Sequence, residues 1–133
     1  FHFKKTSFRI SINSNILINK RKMQFEKGSK SKNEYFYYDR GMPDVLAYLN
    51  FKKIDYQSSM ISDILKFNYD AIFLAEPWKA IYKNDSERYE TYDELLEIDI
   101  QIKKIYKQLG YNIIILPKRS VKDRVNFILE TLH

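Results

Sequence analysis

No cysteine occurs among the 133 residues. That removes disulfide frameworks, thiolate zinc sites and cysteine nucleophiles together, and points to an intracellular, cytoplasmic setting. Histidine is almost as scarce: His2 and His133 are the only two, both at chain ends, where no scaffold holds a ligand or a general base in place. Ser-His-Asp and histidine-based metal chemistry therefore lack their central residue. No apolar run approaches the roughly 20 residues that span a bilayer, so no membrane partner is expected. The opening Phe1-His2-Phe3-Lys4-Lys5-Thr6 carries neither a secretory cleavage pattern nor an initiator Met, which fits a chain whose beginning lies upstream. With only three glycines and three prolines, each one is informative about where an element stops.

What remains suits a single packed domain over residues 1–133. Hydrophobic residues make up 44% and charged residues 30%, a balance of globular rather than disordered chains. The length also falls within the roughly 100–200 residues that one core serves. Lys and Arg number 23 against 17 Asp and Glu, a formal charge of +6, so a polyanionic partner is expected: the phosphates of a nucleotide, or nucleic acid. Much of the excess lies between Lys4 and Lys32 and reads as a solvated face of helix and loop.

Apolar positions recur at helical spacing from Ser11 to Phe25, and Lys27-Gly28-Ser29 reads as the end of that helix with Gly28 as its cap. Glu34-Tyr35-Phe36-Tyr37-Tyr38 reads as a strand of strong β-formers that stops at Asp39-Arg40-Gly41. Pro43 suits the first turn of a helix continued by Val45, Leu46, Tyr48, Leu49 and Phe51. Another helix is expected over Gln57 to Phe67, and a strand over Asp70 to Ala75, closed by Glu76-Pro77-Trp78. The spacing predicts a helix over Tyr92 to Leu109 with Gly110 past its end, then a strand over Tyr111 to Leu116 closed by Pro117. A last helix is expected with Ser120 as N-cap and Asp123 three residues on.

Nearly continuous apolar strands alternating with helices indicate an α/β fold with a parallel sheet covered on both faces, a three-layer arrangement. Ligands in such sheets bind beyond the carboxyl ends of the strands. That directs attention to Asp39-Arg40-Gly41, Glu76-Pro77-Trp78 and Pro117-Lys118-Arg119-Ser120.

The string at 37–49, Tyr-Tyr-Asp-Arg-Gly-Met-Pro-Asp-Val-Leu-Ala-Tyr-Leu, and that at 73–88, Phe-Leu-Ala-Glu-Pro-Trp-Lys-Ala-Ile-Tyr-Lys-Asn-Asp-Ser-Glu-Arg, are long and ordered. With Leu-Gly-Tyr at 109–111 and Leu-Pro-Lys-Arg-Ser-Val at 116–121, the chain resembles the AAA-like P-loop ATPases of the NadR-related, ribosylnicotinamide-kinase-like group. The resemblance implies an ATP- or GTP-binding ATPase or phosphotransferase working with Mg2+, and a small-molecule phosphate acceptor as partner in the kinase case. It implies that Asp39 and Arg40 are catalytic, Asp39 holding magnesium through water or orienting a hydroxyl and Arg40 pairing with phosphate. It places Arg88 in a lid-like segment where its charge would stabilise the transferred phosphoryl group, with Lys83 assisting. Lys118, Arg119 and Ser120 fall where such kinases contact the nucleotide. Trp78 and Tyr82 could stack on a substrate base or pack in the core.

One departure is large. A phosphate-binding loop needs Gly-x-x-x-x-Gly-Lys-Ser/Thr, so that consecutive backbone N–H groups close around phosphate and the lysine neutralises it. None of Gly28, Gly41 and Gly110 stands in that frame. The expectation is the C-terminal part of a P-loop domain, missing the first strand and the loop and inactive by itself. The alternatives are a basic nucleic-acid-binding module and a non-catalytic remnant; against the nucleic-acid reading, the aromatic residues lie mainly in expected strands and helix faces.

Overall fold

A computed structural model describes residues 7–83 and 90–133, with side chains from Ser14 onward. The chain forms two compact units, residues 1–68 and 69–133.

The first unit is helical. Helix α1, Ser7–Ser29, runs several residues past both expected ends. Helix α2, Pro43–Phe51, begins as the proline predicts, with Pro43 and Asp44 in its first turn. Helix α3 is Ser58–Leu65. Helix α2 is short for a stable helix in water, so packing must hold it. Met42, Val45, Leu46, Ala47 and Leu49 are all buried, as are Ile18 of α1 and Ile64 of α3. Each large aliphatic side chain so buried contributes roughly 1.5–3 kcal/mol.

The expected strand at 34–38 is not formed. The segment follows α1 as irregular chain without a ladder, with a bend at Glu34. Its side chains still alternate with period two: Tyr35 pairs with Tyr37 at a ring separation of 6.4 Å, and Phe36 with Tyr38 at 4.9 Å. What replaces strand pairing is aromatic packing on α1. Tyr38 stacks on Phe25 at 5.7 Å and donates its hydroxyl to the Phe25 carbonyl at 3.3 Å, while Phe25 meets Phe67 edge-on at 5.2 Å. Residues rich in β-propensity fit a pleated, half-buried surface, and a helix flank satisfies the same side chains. Gly28 is likewise not a cap. It lies inside α1, close under the rings of Tyr38 and Phe36.

The second unit carries the sheet. Strands β1, Ile72–Leu74, and β2, Ile113–Ile115, pair in parallel, with Ile72 opposite Ile113 and Leu74 opposite Ile115. The Leu116 N–H extends the ladder to the Leu74 carbonyl at 2.9 Å. Helix α4, Tyr92–Gln108, makes the crossover that parallel strands require. Thr91 caps its start by accepting from the Glu94 N–H at 3.2 Å. Gly110, at φ 88°, lets the Gly110 and Tyr111 N–H groups turn back to the carbonyls of Lys107 and Tyr106, a Schellman ending. Helix α5, Val121–Leu132, starts at its expected N-cap, with Ser120 accepting from the Asp123 N–H at 3.1 Å. The described residues thus form a mixed α/β chain with two parallel strands, as the apolar runs at 70–75 and 111–116 indicate.

Candidate functional site

In the first unit the candidate residues stand on the turn between the aromatic segment and α2. Asp39 and Arg40 are exposed, whereas Met42 and Pro43, directly after Gly41, are buried. The buried pair fixes where the chain enters α2, so the preceding residues must turn within a short span. Arg40 takes up the strain: its φ of 77° lies in the left-handed region, which costs a non-glycine residue about 1–3 kcal/mol. The turn is also tied to α1, since Arg21 Nη1 donates to the Gly41 carbonyl at 2.5 Å. An exposed carboxylate beside an exposed guanidinium, on backbone held in a sparsely populated conformation, is an arrangement suited to binding phosphate and a hydrated cation.

In the second unit the groups gather at the carboxyl ends of β1 and β2. Glu76 follows β1, and its carboxylate accepts a hydrogen bond from Lys103 of α4. The same ammonium pairs with Asp99 Oδ2 at 2.7 Å, one helical turn earlier. The hydrogen bond from Lys103 holds the Glu76 carboxyl below its usual range, against the opposing effect of desolvation, and the charges of Lys103 and Lys118 add to the lowering. Hydrogen bonds to Asp99 and Glu76 push the Lys103 ammonium upward. The chain segments leaving the two strands start side by side, since the Leu116 N–H bonds the Leu74 carbonyl at 2.9 Å. Lys118, Arg119 and Ser120 are all exposed. The Arg119 N–H closes a tight turn on the Pro117 carbonyl at 3.0 Å, and the Ser120 hydroxyl is engaged as the cap of α5.

The expected site residues therefore divide between the units: Asp39 and Arg40 in the first, Lys83, Lys118, Arg119 and Ser120 in the second. Lys83 is exposed, just beyond the 3-10 turn Lys79–Ile81. Arg88 lies outside the described residues. Tyr82 packs edge-on against Tyr92 at 5.6 Å and donates its hydroxyl to the Glu90 carbonyl at 2.7 Å, which engages it within its own unit. Among the described residues no group of three or more His, Cys, Asp or Glu is placed to hold a metal ion, and no helix is long and apolar enough to cross a membrane.

Not every participant is evident from sequence reasoning. Asp99 and Lys103 stand four apart on α4, a spacing that marks an intrahelical pair, but nothing local announces Glu76 as the third member. Arg21 is hidden in the basic run Lys20-Arg21-Lys22, whose charges read as a solvated face. No curated protein and no solved structure matches the chain. A family described as "AAA domain" matches residues 4–124.

Proposed function

The chain belongs to the AAA domain family, which is of P-loop NTPase type, and on that premise we propose that it serves ATP- or GTP-dependent phosphate chemistry through the turn at Asp39 and Arg40. The observation that carries this reading is the strained turn. A left-handed arginine, exposed beside an aspartate and immediately before a buried helix start, is a conformation that folding alone does not favour, and such strain concentrates at functional sites.

The roles follow from the chemistry of the side chains. Arg40 offers a planar fork of donors that matches two phosphate oxygens. Asp39 offers one carboxylate to Mg2+, which keeps several waters and takes its other ligands from substrate phosphates rather than from a protein cage. A site with a single acidic residue fits that habit. Bound there, the ion would neutralise charge on the phosphates. Arg88 is assigned to the charge of the transferred group, and Lys83, Lys118, Arg119 and Ser120 to nucleotide contact, with Ser120 acting through its backbone because its hydroxyl caps α5.

The Gly-x-x-x-x-Gly-Lys-Ser/Thr loop is not among these 133 residues, so on this reading the chain supplies groups that act on phosphates cradled elsewhere and has little activity by itself. The activity class is an NTPase or a small-molecule kinase related to ribosylnicotinamide kinases. Calorimetry and thermal shift with Mg-ATP and Mg-GTP test this, on the 133-residue chain and on any longer natural form that carries the loop. Magnesium-dependent binding that Arg40→Ala weakens supports the reading; absence of binding in both forms sinks it.

A further inference from the structure

The basic run on α1 contains one arginine whose contact sets it apart from its neighbours. Arg21 is half-buried, and its Nη1 donates to the carbonyl of Gly41, 20 residues away in sequence, at 2.5 Å. That carbonyl belongs to the residue following Arg40, the residue held at φ 77°. On the other side, Met42 is completely buried. The Gly41 peptide is therefore held at one end by a charged donor and at the other by a buried side chain, while Arg40 carries the dihedral that reconciles them.

We propose that Arg21 is a positioning residue: its hydrogen bond to Gly41 holds the Asp39-Arg40 turn in the left-handed conformation in which both side chains face a phosphate ligand. The inference rests on the reading of Asp39 and Arg40 given above and adds the group that orients them. The physical logic is a balance of two terms. An arginine at positive φ relaxes to negative φ when nothing opposes it. Rotation at Arg40 swings the Gly41 carbonyl away from α1, so the turn can relax only by breaking the bond from Arg21. A hydrogen bond from a charged donor is among the stronger polar contacts available, and α1 is long enough to serve as a rigid mount. Rotation about the Arg40 N–Cα bond also turns the Arg40 side chain relative to Asp39, so relaxation would break the common aim of the carboxylate and the guanidinium.

The test pairs NMR of the turn's backbone with Mg-ATP binding, both on the full natural polypeptide. In Arg21→Met, the intraresidue HN–Hα NOE of Arg40, strong at positive φ, should weaken as the turn relaxes to negative φ, with the signals of the body of α2 unchanged. Arg21→Lys keeps a donor and should restore much of that NOE. Arg40→Gly provides a second background, since glycine adopts φ 77° without strain; there, adding Arg21→Met should move the Gly41 and Met42 signals far less. Mg-ATP affinity should fall in Arg21→Met, and the further loss on adding it to Arg40→Ala should be smaller, because only Asp39 is then left to be misplaced. An unchanged Arg40 NOE in Arg21→Met, or losses of affinity that multiply in full in the double variant, would overturn the proposal. If the turn is released as described but the wild-type protein binds no Mg-ATP, the holding role of Arg21 stands and the nucleotide reading falls.

Discussion

Tyr38 occupies the space that a side chain at Gly28 would need. A Cβ at Gly28 would meet the Tyr38 hydroxyl first, with ring atom Cζ at 2.8 Å and Phe36 Cδ1 at 2.9 Å. The Tyr38 ring cannot swing aside freely, because it is stacked on Phe25. Gly28→Ala should therefore destabilise the first unit by about 1–3 kcal/mol, although alanine at an open helical position would be worth about 1 kcal/mol in the other direction. Urea unfolding measures the difference. Adding Tyr38→Phe should recover part of the loss, and full stability in Gly28→Ala would contradict the packing described.

Arg40→Gly should separate stability from binding. Removing the left-handed strain is expected to stabilise the chain by about 1 kcal/mol, while removing the guanidinium weakens Mg-nucleotide binding. A thermal melt and a titration on the same sample check both directions; a lower melting temperature would show that Arg40 is held by contacts that outweigh its strain.

The Glu76–Lys103–Asp99 cluster should give the second unit a pH signature. Glu76 is depressed by the hydrogen bond from Lys103, so its contribution is complete above the ordinary carboxylate value of about 4.3 and disappears as pH falls through the lower folded value. Lys103 is raised by Asp99 and Glu76, so its contribution is complete below the ordinary lysine value of about 10.4 and disappears as pH rises through the higher folded value. Melting temperatures across pH should show Glu76→Gln costing about 1 kcal/mol or less at neutrality, as a partly solvated pair allows. The gap from wild type should close in acid.

Lys103→Met should cost more than Glu76→Gln, about 1–3 kcal/mol, because it strands the buried Asp99 carboxylate beside a second one. Chemical denaturation at neutral pH gives the ranking, and equal losses in the two variants would argue that Asp99 draws its support from elsewhere.

At the start of α5, Ser120→Ala should destabilise by about 1 kcal/mol by orphaning the Asp123 N–H. Circular dichroism during denaturation reads it directly. Ser120→Asn, which can still cap, should remain near wild type.

Legibility in the sequence followed the range of the interactions involved. Helices α2, α4 and α5 are marked by local chemistry: Pro43 at one start, Thr91 and Ser120 at the others, Gly110 past an end. Strands β1 and β2 were legible because nearly unbroken apolar runs, Ile72–Leu74 and Ile113–Ile115, have few other homes. The segment at 34–38 misled because β-propensity describes a surface to lie on, and helix α1 supplied one through Phe25. For the same reason Gly28 resembled a stop signal: its actual constraint, the ring of Tyr38, comes from beyond its own turn. At the site, Asp39 and Arg40 could be singled out from their string, but the strain at Arg40 and its tether to Arg21 depend on where α1 lies.

The parallel pairing of β1 with β2 also governs the order of assembly. Ile72 can meet Ile113 only after the whole of α4 has been looped between them, so the sheet pays a closure entropy that the helices do not. Turns of α4 form within about a microsecond, whereas non-local strand pairing sets slower phases. The three-residue ladder is therefore a late latch, closed only once α4 has formed between its two strands.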